Sequence, residues 1–158
     1  MSLFRVLETP LSVVDATAAV SAPDVGGIDV FLGAVRNHND GRVVTRLEYH
    51  AYVSMAEKEM QRIAEEIALE IPGVRLSALH RVGSLAVGDL AVVCAAGAAH
   101  RSEAFQACRA LIDRIKLRVP IWKREHGPDG PYWVGWEDAR CGDEHDRAGH
   151  EHGHGHEQ

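Results

Sequence analysis

The chain reads Ile112-Asp-Arg-Ile-Lys-Leu-Arg-Val-Pro-Ile-Trp-Lys-Arg-Glu125 at the place where a helix must end and an extended segment must begin. Upstream of it, apolar side chains recur at steps of three and four residues, which predicts an amphipathic helix over residues 102–119. Pro120 disfavours helical geometry at the residue before it, so the helix should stop at Val119. We expect residues 121–123 to form a short strand or extended loop that folds back toward the helix. The expected buried stripe consists of Phe105, Cys108, Ile112, Ile115 and Val119.

Two of the chain's three lysines, Lys116 and Lys123, flank this proline, although lysine and arginine together number 17. Lysine differs from arginine because a crowded or desolvated ammonium can give up its proton, whereas a guanidinium keeps it. Helical spacing places Lys116 at the edge of the buried stripe, which predicts partial desolvation of its ammonium. The two lysines are therefore candidate catalytic residues. The alternative is that both are solvated surface residues, with Lys116 paired to Asp113 on the helix.

Two further basic clusters lie at the ends of predicted elements. His100 and Arg101 precede the helix start, where unpaired backbone amides and the helix dipole favour a bound anion. Arg36 lies in Val35-Arg-Asn-His-Asn-Asp-Gly41, which reads as a strand end that opens into a polar turn. Structural alternatives are a capped helix with solvent-facing residues and a plain hairpin loop. Three such clusters nevertheless predict one anion-binding pocket assembled from separate parts of the fold.

The remaining pattern predicts a mixed α+β fold. Residues 54–71 have the spacing of a long amphipathic helix that ends at Pro72-Gly73. The strand at residues 89–98 is apolar enough to be central, and the strand at residues 4–7 is expected at an edge. The other expected elements are a helix at residues 12–21 and strands at residues 28–35, 43–50, 74–82 and 132–136.

Composition predicts one globular domain and excludes several classes of function. A chain of 158 residues with 46% hydrophobic residues is ordinary for a single domain. No run approaches the roughly 18 apolar residues of a membrane span, and the start lacks a signal peptide, so we expect a cytoplasmic protein. Nucleic acid is not an expected partner, because no basic stripe with interleaved aromatic residues is present.

The C-terminal residues differ from the rest of the chain. Residues 141–158 hold five acids and one arginine, so they carry −4 of the net charge of −6 and leave −2 for residues 1–140. They are polar, glycine-punctuated and free of aromatic residues, which predicts a disordered, dispensable tail after a domain at residues 1–140. The alternative is a metal site in this tail. Its candidate ligands are His150, His152, His154 and His156.

Three cysteines make neither a C-x-x-C pair nor an even disulfide set. Cys94 lies in an apolar strand and Cys108 on the apolar stripe of the helix, so both are expected to be buried thiols. Cys141 lies near the tail.

Five motifs follow one another along the chain. They are Gly33-Ala-Val-Arg-Asn-His-Asn39, Leu47-Glu-Tyr-His50, His80-Arg-Val-Gly83 followed by Gly88-Asp89, Ala99-His-Arg-Ser102 and Lys116-Leu-Arg-Val-Pro-Ile-Trp-Lys-Arg-Glu125. The similarity that they mark runs from roughly Asp29 to Trp133, about two thirds of the chain. In this order they resemble the large, catalytic subunit of molybdopterin synthase, and five motifs in register are highly specific.

This resemblance implies a fold, an assembly and a reaction in molybdenum cofactor biosynthesis. The fold would be an α/β hammerhead, and the assembly a homodimer of large subunits with a small ubiquitin-like subunit at each end, a heterotetramer. The tail of the small subunit would end in Gly-Gly, bear a terminal thiocarboxylate and enter a pocket of the large subunit. Sulfur would pass from it to cyclic pyranopterin monophosphate, forming the dithiolene of molybdopterin. The resemblance implies no metal and no other cofactor.

The resemblance also implies site residues. Lys116 would be the central catalytic lysine, and Lys123 the second catalytic group. Cyclic phosphate and thiocarboxylate are both anions, so they need a cationic enclosure to approach each other. The substrate-binding residues would be Arg36, His100, Arg101, Lys116, Lys123, Arg124 and Glu125.

Two positions depart from the family pattern. Ala34 stands where lysine is common, and Arg42 is the expected replacement. Residues 135–137 lack an arginine that would reach across the dimer, and Arg140 is the nearest. Tyr49 and the pair His80 and Arg81 are interpreted as packing or pairing residues and not as catalytic ones.

Two other classes of function compete with sulfur transfer. One is a phosphate-ester lyase or hydrolase that uses the same cations without a protein partner. The other is a noncatalytic metal-binding adaptor organised by the histidine-rich tail. Deletion of residues 142–158 would separate the adaptor from the two enzymes.

Overall fold

The computed structural model describes residues 3–135, and within that range the chain forms three helices and ten strands. In chain order they are β1 (Leu3–Leu7), α1 (Val13–Ala19), β2 (Gly27–Ala34), β3 (His38–Asn39), β4 (Arg42–Val43), β5 (Arg46–Ala51), α2 (Val53–Glu70), β6 (Arg75–Arg81), β7 (Gly83–Ala86), β8 (Leu90–Ala98), α3 (Arg101–Arg118), β9 (Ile121–His126) and β10 (Tyr132–Gly135).

Two four-stranded sheets organise these elements. The first has the order β1-β6-β8-β2, in which β1 pairs with β6 in parallel and the other pairs are antiparallel. The second has the order β10-β9-β5-β7 and is antiparallel throughout. Helices α2 and α3 pack on one face of the first sheet around a large apolar core, and α1 packs on the other face around a smaller one.

The predicted α+β class is confirmed, and so are the edge position of β1 and the central position of β8. The strand predicted at residues 43–50 is wrong in one respect, because the chain divides it into β4 and β5. Sequence reasoning missed β7, and the β3–β4 hairpin corresponds to the hairpin loop given as the structural alternative for residues 35–41. Asp40 and Gly41 both have positive φ angles, of 49° and 74°, which is typical of the type I′ turn of a two-residue hairpin.

Two large apolar side chains that the helical spacing predicted to be buried are exposed. Phe105 is 57% exposed, and Met55, one of the apolar positions in the helical pattern predicted at residues 54–71, is 60% exposed. The other four residues of the stripe predicted for α3 are buried, and its buried face also includes Ala104, Ala107 and Leu111, since alanines let a helix approach a sheet closely. The helix also begins one residue earlier than predicted, with His100 at its N-cap position.

Several predictions fall outside the described residues. They concern Trp136, Arg140, Cys141 and the tail at residues 141–158. Within residues 3–135, none of the helices combines the length and the hydrophobicity that crossing a bilayer requires.

Candidate active site

An open cavity of about 380 Å³ lies where the end of α3 meets β5, β6 and β9. This volume is within the range of small-molecule sites, about 300–1,000 Å³. The wall consists mainly of apolar side chains, with a few polar groups that converge on it. The charged or titratable lining residues are Arg36, His38, Tyr49, His80, Lys116, Lys123 and Glu125.

The two candidate lysines line this one cavity because the chain reverses at Pro120. Helix α3 ends with the Val119 amide donating to the Ile115 carbonyl at 3.0 Å, and Val119 itself has extended backbone angles. Strand β9 then runs back along β5, and this path brings Lys123 to the cavity that Lys116 lines. The predicted desolvation of Lys116 is wrong for a single chain: its side chain is exposed, because it lies at the open mouth of the cavity.

Arg36 reaches the same cavity from the loop after β2. The Val35 amide donates to the Asp89 carbonyl at 2.9 Å and the Gly88 amide donates to the Val35 carbonyl at 2.8 Å, which fixes where the loop begins. Ala34 lines the cavity without a charge. Arg42, the expected replacement, lies over the Tyr132 ring with its guanidinium carbon 3.6 Å from the ring centre and does not line the cavity.

Three other predicted site residues do not meet this cavity within one chain. His100 and Arg101 are exposed at the start of α3, and Lys116 is near its end, about 22 Å away at 1.5 Å per residue. Arg124 lies on the opposite face of the second sheet from Lys123, since side chains alternate along β9. Its guanidinium carbon is 5.4 Å from the centre of the Trp133 ring.

Sequence reasoning undervalued two residues of the cavity wall, Tyr49 and His80. Their rings meet edge to face, with centres 5.1 Å apart. Burial raises the pKa of the Tyr49 phenol to about 12, and the charge of Glu125 adds to that effect. The sequence signal that could have identified Tyr49 is the alternation of side chains between the two faces of β5. This alternation places Leu47 and Tyr49 on the inward face.

His80 is a neutral imidazole at the inner end of the cavity. Burial, opposed by the hydrogen bond to the Arg81 carbonyl and assisted by the positive charge of Lys116, lowers its pKa to about 4. That carbonyl lies 2.9 Å from Nδ1. Because a carbonyl accepts, the bond assigns the proton of the neutral ring to Nδ1 and leaves Nε2 as an acceptor.

We expect His80 to make the protein less stable in acid. Between pH 4 and pH 6.5 the unfolded chain binds a proton at this residue and the folded chain does not. The free energy of unfolding should therefore rise by about 3 kcal/mol across this window on account of His80. The measurement is denaturant unfolding at several pH values, with His80→Asn as the comparison. Equal slopes for both proteins would contradict the assignment, because all other histidines are shared.

The predicted buried thiols are confirmed. Cys94 and Cys108 are both fully buried and form no disulfide. Burial raises the pKa of both thiols, that of Cys108 to about 12, so neither is a nucleophile at neutral pH. Within residues 3–135, no group of three His, Cys, Asp or Glu side chains is arranged to hold a metal ion.

Fold and cavity together define a class: an α+β subunit with an open, mainly apolar cavity that Arg36, Lys116 and Lys123 line. A family model described as "MoaE protein" matches residues 6–118. The chain belongs to the MoaE family, and it is an enzyme of molybdenum cofactor biosynthesis of the molybdopterin synthase catalytic subunit type.

Individual relatives agree with this membership. Molybdopterin synthase catalytic subunit 1 of Mycobacterium tuberculosis (strain ATCC 25618 / H37Rv) is 47% identical over 131 residues, 83% of this chain and 89% of that protein. The crystal structure of molybdopterin synthase from Staphylococcus aureus has a TM-score of 0.82 at 38% identity and covers 85% of this chain and 98% of that one. A complex of subunits 1 and 2 of molybdopterin-converting factor from Helicobacter pylori 26695 has a TM-score of 0.66 at 19% identity, covering 82% of this chain and 88% of that one, and supports the fold alone.

Proposed function

We propose that this chain catalyses sulfur transfer from the terminal thiocarboxylate of a small carrier protein to cyclic pyranopterin monophosphate, which forms the dithiolene of molybdopterin. The observation that carries the proposal is the meeting of Arg36, Lys116 and Lys123, from three separate elements, at one cavity. Both reactants are anions, and fixed cations lower the cost of bringing two anions together in a partly enclosed site.

The two lysines have different surroundings and therefore different proposed roles. Lys123 has its Nζ 3.7 Å from Oε1 of the buried Glu125, so it is a fixed positive charge that supports phosphate or thiocarboxylate. Lys116 has no carboxylate partner among the described residues and lies at the cavity mouth. We assign Lys116 the proton transfers that accompany sulfur addition and water loss.

His100 and Arg101 enter the proposal through a second copy of the chain. They are too far along α3 to reach the cavity that their own Lys116 lines. In a two-fold dimer, each subunit presents the same surfaces to the other, so the start of α3 in one copy can complete the cavity of its neighbour. This arrangement would enclose the exposed Lys116 among additional cations. In this arrangement the predicted homodimer is needed to bring all the proposed site residues together.

The sulfur donor is proposed to be a small ubiquitin-like subunit with a Gly-Gly thiocarboxylate end. The chain has no low-pKa thiol among its described residues, which agrees with an external sulfur source. The H. pylori structure of similar fold is a complex of subunits 1 and 2 of molybdopterin-converting factor. A heterotetramer of two large and two small subunits, located in the cytosol, remains part of the proposal.

Reconstitution tests the proposed function. The purified chain is mixed with cyclic pyranopterin monophosphate and a thiocarboxylated small subunit, and dithiolene formation is measured. The matched control is the same small subunit with an ordinary carboxylate end, which should give no product. Consumption of the pterin substrate without any partner would support the phosphate-ester lyase or hydrolase instead. Absence of product with the active donor would reject sulfur transfer.

A further inference from the structure

The β3–β4 hairpin presents two side chains to the second sheet as a pair. Its turn, Asp40-Gly41, places Asn39 directly opposite Arg42. Residues opposite each other in an antiparallel pair project from the same face of the ribbon. Strands β9 and β10 offer a matching pair, since Glu125 lies directly opposite Tyr132.

These two pairs contact each other across the gap between hairpin and sheet. Asn39 Nδ2 donates to Glu125 Oε1 at 2.5 Å, and the guanidinium carbon of Arg42 lies 3.6 Å from the centre of the Tyr132 ring. We call the four residues Asn39, Arg42, Glu125 and Tyr132 the hairpin clasp. It links segments 86 residues apart in sequence.

Glu125 is the buried member of the clasp, with 1% of its surface exposed. Its Oε1 contacts Asn39 and, at 3.7 Å, the Lys123 ammonium. Its Oε2 is buried and has no hydrogen bond of normal geometry within the described residues. Burial raises the pKa of the Tyr132 phenol, and the neighbouring Glu125 carboxylate raises it further. Asn39 and Lys123 therefore provide the direct compensation for a buried charge, and the loss of such a partner is costly.

The hairpin is also fixed by backbone contacts at its base. The Val44 amide donates to the Asn37 carbonyl at 2.9 Å, and the Thr45 amide donates to the His126 carbonyl at 2.8 Å. A Cβ added at Gly127 would lie 2.1 Å from the Val43 carbonyl oxygen, so the hairpin approaches β9 as closely as glycine allows. The clasp at its tip completes this attachment.

We propose that Glu125 is a positioning residue that acts through Asn39, so that the hairpin clasp sets where Arg36 and His38 stand relative to Lys123 in the cavity. His38 directly precedes the clasped Asn39, Arg36 lies three residues before it, and both line the cavity. The single carboxylate of a cationic site then serves to hold two cation-bearing segments at a fixed separation. The proposal rests on the proposed function and specifies how its anion site is built.

The effects of substituting Asn39 and Glu125 on kcat/KM should not be additive. In the reconstituted assembly, Asn39→Ala and Glu125→Ala should each lower kcat/KM by about tenfold, mainly through a higher KM for the pterin substrate. Because the second change removes a contact that the first has already broken, the double variant should also lose about tenfold and not one hundredfold. A direct contact between Glu125 and substrate would make the two losses multiply, which would overturn the proposal.

Exchange of the two polar groups gives a second test that does not depend on alanine variants folding. Asn39→Asp alone places two carboxylates against each other and should raise KM strongly. Adding Glu125→Gln restores a hydrogen bond with reversed polarity, because the Gln amide donates to the new carboxylate, and KM should fall back toward the wild-type value. Failure of this rescue would overturn a positioning role.

A matched control comes from an ion pair remote from the cavity. Arg114 Nη2 donates to Glu70 Oε2 at 2.6 Å between α3 and α2, and Glu70→Gln should leave KM unchanged. If the wild-type assembly transfers no sulfur, the proposed function fails, and the same cycle is then measured on the affinity of the chain for inorganic phosphate. Additive losses of that affinity would reject the clasp, and non-additive losses would support it.

Discussion

Lys116→Arg should lower kcat for sulfur transfer by about 100-fold to 10,000-fold, the range expected for loss of a group that transfers protons. Arginine keeps the positive charge at the cavity mouth but does not give up its proton at neutral pH. Because Lys116 is exposed within its own chain, the larger guanidinium does not displace the core of that chain. KM for the pterin substrate and affinity for the small subunit should therefore change little. The measurement is single-turnover formation of the dithiolene.

The chain has only three lysines, and the one that lies away from the cavity, Lys58, provides a matched control for this variant. Lys58 is exposed on α2 and does not line the cavity, so Lys58→Arg should retain wild-type kcat. Thermal unfolding of both variants checks that the fold is intact. Activity of Lys116→Arg close to that of Lys58→Arg would mean that position 116 contributes charge alone, and the proton-transfer role would have to be assigned elsewhere.

The sequence predicted this part of the site well because the relevant physics is local. A helix that ends just before Pro120 and a strand that returns are short-range consequences of proline geometry and apolar spacing. They were enough to place Lys116 and Lys123 near each other. The pairing of β9 with β5 is not local, however, and it decides that Lys123 and Glu125 face the cavity while Arg124 faces away.

The hairpin clasp shows what sequence alone could not supply. The Asp40-Gly41 turn is a strong local signal for a hairpin. Nothing local indicates that Asn39 contacts Glu125, because that contact joins residues far apart in the chain and depends on how the hairpin lies on the sheet. The burial of His80 could not be predicted from the sequence for the same reason. Its environment is made by Tyr49 and Lys116, which come from two other elements.

Mixed dimers should recover activity that each parent has lost. We consider Lys116→Arg and the double variant His100→Ala/Arg101→Ala, each of which should be nearly inactive as a homodimer. In the proposed assembly, one cavity uses Lys116 of its own chain and His100 and Arg101 of the neighbour. In a mixed dimer, one cavity therefore carries both sets of substitutions, and the other cavity carries neither. Isolated through two different affinity tags, it should have about half of wild-type activity.

The position of α3 makes this result decisive. If His100 and Arg101 acted at the cavity of their own chain, every cavity of the mixed dimer would carry one lesion, and no activity would return. The roughly 22 Å between the two ends of α3 argues against that arrangement. Tagged dimers of two wild-type chains provide the reference for full activity, and tagged dimers of a single variant provide the background. Recovery near half would also show that an exposed helix start and an exposed lysine, unrelated within one chain, belong to one site.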